Sequence, residues 1–425
     1  MNFTELAFLP FLATVLVGYW AVRDRRLQNL WLLGASLVFY GWHDPRYIGL
    51  LLFVAAIDYL APLAMRAWPR HRNAALVLSL VANLGTLALF KYLDFFLASF
   101  LPSVEPVGLP LPVGISFFTF QSMSYTIDAW RGRLEPRRSF VDYFAYIAMF
   151  PQLVAGPVER ARDLLPQLEA PRRFKREAFA EGISLALRGA VKKVVIADTL
   201  ALYVDTAFAR EGLPGPVAAA ATLAFAVQIL ADFSGYTDIA RGVAAMMGFR
   251  LVQNFNAPYA ATSPSDFWRR WHISFSSWIH EYLYVPLGGS RHGWLRTVFA
   301  TVVAMLLSGL WHGAAWHFVA WGAWHAALLL AWRAGGAVLP EGVRARLRLL
   351  RVPTVFLGVL VGWYLFRVPA LPGGAELAAL ARTGEAADLA DALRLVSLAG
   401  VTGAASVLLG RPMPRSAGGR AAVWA

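Results

Sequence analysis

The chain has 425 residues, of which 58% are hydrophobic and only 15% are charged, and its formal net charge is +13. Soluble domains carry about 25% charged residues, so this composition, with a mean hydropathy of +0.52, indicates a polytopic membrane protein. Nucleic acid is not an expected partner, because the arginines alternate with apolar segments instead of forming one basic surface. The absence of cysteine excludes disulfides, four-cysteine metal sites and an acyl-cysteine intermediate.

Five apolar segments near the N-terminus predict membrane helices: Phe3–Val22, Gln28–Trp42, Ile48–Met65, Asn73–Phe90 and Leu109–Trp130. No basic residue precedes the apolar run of Met1–Val22, so we expect an uncleaved first span. The loops near Arg25, Arg70 and Arg137 fall on one side of the membrane. Excess arginine marks the cytoplasmic face, so we expect a protein of the inner (cytoplasmic) membrane with an extracytoplasmic N-terminus.

The segment Ser139–Pro157 is apolar but too irregular for a plain span, because Pro151 and Gly156 interrupt it. The basic segment Glu159–Arg176 follows, so both flanks are expected in the cytoplasm. A re-entrant or interfacial element fits this pattern better than a crossing. Irregular backbone at membrane depth needs protein or a water-filled cavity around it, which points to an internal cavity.

The second half contains five more apolar regions: Phe179–Ile196, Val217–Phe249, Thr297–Trp332, Val352–Phe366 and Ala392–Leu409. As one helix, Thr297–Trp332 would be about 54 Å long, which exceeds a ~30 Å bilayer core. We therefore expect it to break, with Gly313 as the break point. Arg367–Asp388 and Arg411–Ala425 are predicted to be a loop and a tail.

Three histidines lie in Thr297–Trp332, a run without Asp, Glu, Lys or Arg: His312, His317 and His325. An ionisable group at membrane depth is costly and is therefore a functional candidate. The alternative is a structural histidine bonded to a backbone carbonyl.

The segment Ser263–Gly289 is the most polar part of the second half. Ser263 as N-cap, Pro264 and Asp266 predict a helix start, and Asp266 and Arg270 are expected partners at i,i+4. Helical spacing predicts one aromatic face that comprises Trp268, Trp271, Phe275 and Trp278, with His272 one turn from Trp268. The alternative is an interfacial amphipathic helix with tryptophans at the lipid headgroups and arginines on phosphates.

A second polar cluster, Asp232 to Arg241, lies inside apolar sequence, and Asp238 and Arg241 are spaced to form a buried ion pair. His272 and His312 could act as a metal pair or as acid and base. No third ligand stands at a defined spacing, and no second histidine follows His280-Glu281 as in zinc proteases, so we expect no metal.

Six motifs occur in a specific order between the N-terminus and Trp332. Together they resemble the membrane-bound O-acyltransferase (MBOAT) family and, within it, the bacterial branch of alginate O-acetylation membrane subunits. His280-Glu281 stands where that branch usually has Arg-Asp. The motifs are Phe39-Tyr-Gly-Trp-His-Asp-Pro45, Phe150-Pro-Gln-Leu-Val-Ala-Gly-Pro157, Asp232-Phe-Ser-Gly-Tyr236, Asp266-Phe-Trp-Arg-Arg-Trp-His272, Tyr282-Leu-Tyr-Val-Pro-Leu-Gly-Gly289 and Leu310-Trp-His312-Gly-Ala.

The resemblance implies an all-α fold with roughly 10–12 membrane helices and re-entrant or interfacial helices around a central tunnel. It implies a single domain over residues 1–425, with N-terminal spans in 1–138, a re-entrant and cytoplasmic segment in 139–178, a catalytic core in 179–332, and C-terminal spans and tail in 333–425. His312 takes the position of the family's catalytic histidine, and His272 takes the second signature position. The expected supporting residues are Asp266, Trp268, Arg269, Arg270, Trp271, Tyr236, Asp232, Gln152, Trp311 and Trp316. Trp311, Trp316 and backbone N–H groups are all candidates for the oxyanion donor.

The expected activity is O-acyl transfer, with His312 as general base. The donor would be cytoplasmic acetyl-CoA or another acyl-CoA, with no bound cofactor. The acceptor would be a hydroxyl of an extracytoplasmic cell-envelope polysaccharide, reached directly or through an extracytoplasmic acetyltransferase partner, and membrane lipid would surround the protein. Two alternatives stay open: an envelope transporter or flippase, for which we see no inverted repeats, and a non-catalytic scaffold for an envelope-modifying complex.

Overall fold

A computed structural model describes residues 1–154, 156–338 and 340–410, and its regular structure there is entirely helical. The expected tail, Arg411–Ala425, lies outside these residues. The α-helices are α1 Phe8–Ala21, α2 Arg25–Tyr40, α3 Arg46–Ala67, α4 Arg72–Leu87, α5 Leu93–Phe100, α6 Ile115–Trp130, α7 Phe140–Ala148, α8 Phe150–Leu153, α9 Ala161–Glu169, α10 Arg176–Ala190, α11 Asp198–Phe208, α12 Gly215–Met246, α13 Pro264–Arg270, α14 Ile273–Ile279, α15 Gly293–His312, α16 Trp316–Val338, α17 Glu341–Arg346, α18 Arg351–Arg367, α19 Gly374–Leu380 and α20 Ala386–Gly410.

Six helical stretches in the described residues are long and apolar enough to cross a membrane. This confirms an all-α polytopic membrane protein. Other apolar helices, such as α1, are shorter than a full span. The six stretches are Arg46–Ala67, Pro69–Phe100, Gly215–Met246, Gly293–His312, Leu347–Arg367 and Ala386–Val407.

The long helix α12 organises the interior. It packs against α10, α11, α18 and α20, and also against the short helix α8. One large apolar core joins the N-terminal helices to the end of α12, and a second joins its beginning to α11, α18 and α20. A third, smaller core connects α6, α14 and α15 beside the end of α15.

The run Thr297–Trp332 forms an antiparallel helical hairpin. Helix α15 ends at His312, Gly313 is extended (φ −164°, ψ 152°), and α16 starts at Trp316, so the predicted break is confirmed. The two helices pack backbone against backbone: a Cβ at Gly309 would lie 2.1 Å from the Phe318 carbonyl oxygen. Only a residue without a side chain permits this approach.

The irregular segment Ser139–Pro157 forms two short helices, α7 and α8, separated by a kink at Met149. Ser139 caps α7 by accepting a hydrogen bond from the Asp142 N–H. From Tyr143 to Leu153 nearly every side chain is buried. Protein surrounds this segment, as irregular backbone at membrane depth requires.

The expected single helix through Ser263–Trp278 is wrong, although Ser263 does cap α13 through the Asp266 N–H. The helix ends at Arg270, and His272 adopts a left-handed conformation (φ 44°, ψ 52°) before α14 begins. Asn254 causes the break: its carbonyl accepts from the Ile273 N–H at 3.0 Å, and its side-chain oxygen accepts from the Ser274 N–H at 3.1 Å. The preceding chain thus provides partners that a continuous helix would not use.

The break also removes the expected single aromatic face. Trp268 contacts Trp321, Trp271 contacts Trp363, and Trp278 stacks on Phe120. The tryptophans therefore divide between two cores: Trp268 and Trp271 pack in one, and Trp278 packs in the other. The loop expected over Arg367–Asp388 needs a smaller correction, because it contains the helix α19, capped at Gly373 by Glu376.

Candidate active site

His312 lies at the end of a membrane-spanning helix, where the chain breaks at Gly313. Its ring is surrounded by Trp321, Phe366 and Phe275, with centroid distances of 5.1, 5.2 and 5.8 Å. Taken as a whole, the residue is half-buried. It therefore lies among aromatic rings at the point where the chain leaves the spanning helix α15.

His272 contacts two aromatic rings, Phe275 and Trp311, that also contact His312. It is 1% exposed, and its ring lies 4.9 Å from Phe275 and 5.8 Å from Trp311. Both of its ring nitrogens lack a hydrogen-bond partner among the described residues. A buried polar group without a partner is costly, so the fold tolerates His272 here at an energetic disadvantage.

Three buried tryptophans near His312 also have unused donors. The Nε1–H groups of Trp311, Trp321 and Trp268 have no acceptor within the part of the chain that the structure describes. Trp311 and Trp321 both contact the His312 ring, and Trp268 contacts Trp321. The enclosure is mainly apolar, and a few unpaired polar atoms inside it can orient a polar ligand.

Lys91 and Tyr92 hold the end of α15. Lys91 Nζ donates to the Trp311 carbonyl and, at 3.0 Å, to Ser116 Oγ, and Tyr92 OH donates to the Leu310 carbonyl at 2.9 Å. The sequence analysis missed both residues because the predicted span stopped at Phe90. The signal was available, since a lysine inside an apolar helix is exceptional.

Four of the expected supporting residues have partners of their own and no direct contact with His312 or His272. Trp316 is half-exposed, and its indole donates to Ser99 Oγ at 3.2 Å instead of facing His312. The other three are bonded as follows: Tyr236 OH donates to Asn2 Oδ1, Asp232 pairs with Lys193, and Gln152 Nε2 donates to the Tyr146 carbonyl.

The residues of α13 and its C-cap make the contacts that directly precede His272 in the chain. Asp266 accepts from the Thr262 N–H and, at 3.0 Å, from Arg270 Nε, so the expected Asp266–Arg270 pair forms. Arg269 is largely exposed and lies 3.8 Å from Asp266. Trp271 is buried against Trp363. Together these contacts hold the end of α13, from which the chain turns into His272.

The two remaining histidines of the hairpin differ from His312. His317 Nδ1 lies 3.2 Å from the Leu365 carbonyl oxygen, which matches a structural histidine. His325 is 1% exposed and packs between Trp321 and Trp268. Of the three, His312 is the least buried, and it directly precedes the break at Gly313.

Two ion networks lie apart from the histidines. Asp238 pairs with Arg241, as expected, and more closely with Lys192 at 2.7 Å. Glu281 accepts from Arg162 at 2.7 Å and also pairs with Arg160 and Arg133. These hydrogen bonds and positive charges, that of Arg162 first, lower the pKa of Glu281 to about 2.

A surface cavity of about 530 Å³ adjoins this network, with Arg131, His280 and Ser277 in its wall. Across the described ranges, no group of three or more His, Asp or Glu side chains is placed to hold a metal ion. The polar side-chain groups near His312 are imidazoles, indoles, the Lys91 ammonium and the hydroxyls of Ser116 and Tyr92.

These features define a multi-pass membrane protein with a histidine at the end of a spanning helix, where a helical hairpin breaks. Comparison with known proteins gives the class its name: the chain belongs to the MBOAT, membrane-bound O-acyltransferase family, whose sequence model matches residues 65–335. The protein is thus a membrane O-acyltransferase, and the predicted resemblance is confirmed.

Several named relatives align over most of the chain. The probable alginate O-acetylase AlgI of Azotobacter vinelandii is 40% identical over 86% of this chain and 75% of its own length. The peptidoglycan O-acetyltransferase of Helicobacter pylori is 34% identical over 78% of this chain and 70% of its own. The teichoic acid D-alanyltransferase of Bacillus subtilis is 25% identical over 77% and 85%, respectively.

Proposed function

We propose that the protein transfers an acetyl group from a cytoplasmic acyl-CoA thioester to a hydroxyl of an extracytoplasmic cell-envelope polysaccharide. His312 is the general base in this reaction, and His272 supports it. The observation that carries the proposal is the position of His312: it ends the membrane-spanning helix α15 at the Gly313 break, half-buried among aromatic rings.

The chemistry needs one proton acceptor and one place for negative charge. The acceptor hydroxyl oxygen attacks the thioester carbonyl carbon while the His312 imidazole takes the hydroxyl proton. The carbonyl π electrons move onto its oxygen and form an oxyanion. The oxyanion then collapses, the C–S bond breaks, and the sulfur leaves with the proton that His312 returns. The products are the acyl ester and the free thiol.

The aromatic enclosure favours this reaction by limiting water. Phe275, Phe366 and Trp321 cover the faces of His312, so few water molecules compete with the hydroxyl nucleophile. The Nε1–H of Trp311 is a free donor beside the same ring. The remaining residues of the expected set act at a distance: Asp266, Arg270 and Trp271 hold the turn that presents His272.

The acceptor class follows from the relatives. Alginate and peptidoglycan, named in two of them, are polysaccharides outside the cytoplasm. We propose the same class here, with transfer either direct or through an extracytoplasmic acetyltransferase partner. The arginine-rich loops near Arg25, Arg70 and Arg137 favour an inner-membrane protein whose N-terminus is extracytoplasmic, with the donor arriving on the arginine-rich side.

The test is His312→Gln in the full-length protein, with release of free CoA thiol from acetyl-CoA and acetyl content of the polysaccharide as readouts. We expect a loss of about 10²–10⁴-fold, the usual contribution of a general base. His317→Gln is the matched control, because it removes another imidazole of the same hairpin, and it should stay within about threefold of wild type. Wild-type acetylation by a correctly inserted His312→Gln protein would refute the proposal.

The same experiment separates the alternatives. A scaffold would keep polysaccharide acetylation in His312→Gln as long as its complex assembles. A transporter or flippase would release no thiol from acetyl-CoA when the purified wild-type protein is mixed with an acceptor. The membrane-bound O-acyltransferase membership argues against both readings.

A further inference from the structure

Lys91 occupies an unusual position in a membrane-spanning helix. It lies in the π-helical segment Ala88–Tyr92, inside the apolar stretch Pro69–Phe100. π-helical segments occur often at functional sites. A lysine at this depth normally faces a protein interior or an aqueous cavity and marks a functional position.

The hydrogen bonds of Lys91 leave one donor unused. An ammonium group has three N–H donors. One binds the Trp311 carbonyl and one binds Ser116 Oγ. Nζ is therefore fixed next to the peptide bond that leads into His312, and its third N–H has no acceptor among the described residues.

The charge of Lys91 has no carboxylate to balance it. No Asp or Glu among the described residues lies within ion-pair distance of Nζ; the ion pairs that the structure contains involve other residues. The closest charge-like partners are the C-terminal carbonyls of α15 and the ring of Trp311, whose centroid is 5.7 Å from Nζ. Lys91 is also partly exposed, like His312. A negative charge that develops here during a reaction would lie next to an ammonium group that is already in position.

We propose that Lys91 supplies the oxyanion donor of the acyl-transfer reaction, a role that rests on the proposed function. As the hydroxyl attacks, the free N–H of Lys91 donates to the thioester carbonyl oxygen, which becomes negatively charged. Lys91 keeps its proton throughout, because the proton of the hydroxyl goes to His312 and then to the leaving sulfur. The ammonium thus stabilises the transition state and takes no part in the bond changes.

An ammonium suits this role better than the neighbouring indoles. Hydrogen bonds from a charged donor to an anion are stronger than those from a neutral N–H. A donor that is fixed before the reaction also costs no reorganisation when charge develops. The Trp311 carbonyl and Ser116 hold Nζ in this way, whereas Trp311 contributes a single neutral donor.

The test compares four variants in the purified full-length protein, with kcat and KM for acetyl-CoA measured by thiol release. Lys91→Met and Lys91→Gln remove the charge, and Lys91→Gln retains N–H donors for the Trp311 carbonyl. Lys91→Arg retains the charge. Tyr92→Phe is the structural control, since it removes a neutral hydrogen bond to the same helix end. Binding of a non-reactive thioether analogue of acetyl-CoA checks that each protein is folded.

We expect Lys91→Met and Lys91→Gln to lower kcat about 10²–10³-fold, as loss of an oxyanion donor does. KM and analogue binding should change less than about threefold, and Lys91→Arg should recover at least tenfold over Lys91→Met. If Lys91→Met does not insert, Lys91→Gln decides by the same criteria.

Two results would overturn the inference: a kcat within fivefold of wild type for the charge-removing variants, or a loss in Tyr92→Phe as large as that in Lys91→Met, which would indicate packing alone. The His312→Gln variant distinguishes failure of the Lys91 role from failure of the proposed function. If it is inactive while the Lys91 variants are active, only the Lys91 role fails. If it is active, the proposed function fails as well.

Discussion

The interior of this protein contains two polar regions that differ in how well their groups are paired. Around Asp58, on the spanning helix α3, both carboxylate oxygens have partners: Ser79 and Thr126 donate to Oδ1, and Asn83 donates to Oδ2. Asp58 is also fully buried. Around His312, in contrast, both ring nitrogens of His272 and the indole N–H groups of Trp311 and Trp321 lack partners among the described residues, and His312 itself is half-buried.

This difference separates a structural use of polarity from a chemical one. A buried carboxylate with three donors stabilises the packing of three helices and has no free position for a ligand. Unpaired donors and bases in an accessible enclosure weaken the fold but can bind and react. The following substitutions test whether the two regions behave in these two ways.

The largest effect on stability is expected at Asp58. Asp58→Ala leaves the donors of Ser79, Asn83 and Thr126 without their acceptor, at a cost on the order of 3 kcal/mol in unfolding free energy. Thermal unfolding in detergent measures this loss. The folded fraction should retain wild-type kcat, and Asp58→Asn, which keeps one acceptor oxygen, should lose less stability. A tenfold reduction of kcat in folded Asp58→Asn would show that Asp58 contributes to catalysis and would contradict its purely structural role.

Gly313→Ala tests the position of His312. A Cβ there would lie 2.1 Å from Cε2 of Phe318, so the Phe318 ring must move. Phe318 contacts Phe366, which in turn contacts His312. A displacement of about 1 Å in a reacting group costs on the order of 10²-fold in rate. We expect that loss in kcat with little change in melting temperature. Gly335→Ala, where a Cβ meets nothing within 4 Å, is the control and should be neutral.

Glu281 resembles Asp58 in having all its partners, so its effect should appear in stability alone. Its folded-state pKa of about 2 lies below the ordinary 4.5. Its contribution is therefore present above about pH 4.5 and is lost as the pH falls towards 2. Glu281→Gln should cost about 2 kcal/mol at neutral pH, after allowance for solvent screening of this partly exposed group.

The check is unfolding free energy against pH for wild type and Glu281→Gln. The two curves should converge between pH 5 and pH 2. Parallel curves would show that the ion pairs with Arg162, Arg160 and Arg133 contribute no linkage.

The smallest effect is expected at His272, whose role is support. Asparagine tolerates the left-handed backbone at this position, so His272→Asn removes the imidazole without straining the turn. We expect kcat to fall about tenfold while the melting temperature changes little, because the His272 ring nitrogens make no hydrogen bond within the described residues that the substitution would break. A marked loss of stability instead would make His272 a packing residue, like Asp58 in the comparison.

Much of the architecture was predictable from residue order. Hydrophobic length predicted the spans, because a bilayer core demands about 20 apolar residues per helix. The excess length of Thr297–Trp332 predicted a break, and Gly313 marks it in the structure. The motifs that include His272 and His312 predicted the family. All of these signals are local, so each can be recognised without knowledge of the fold.

Other features required the tertiary structure. The break at His272 depends on Asn254, which lies in a preceding segment and offers competing hydrogen bonds. The role of Trp316 as an oxyanion donor was expected from its closeness to His312 in sequence, but the helix break turns it towards Ser99. Lys91 comes to the Trp311 carbonyl from 220 residues away in the chain.

The sequence by itself determined that this is a helical membrane protein of the O-acyltransferase family with a histidine inside a spanning hairpin, because span length and motif order are properties of neighbouring residues. Only the tertiary structure decided which polar groups lie near that histidine and which form hydrogen bonds elsewhere. Hydrogen-bond partners of buried groups come from distant segments, and their identity follows from packing.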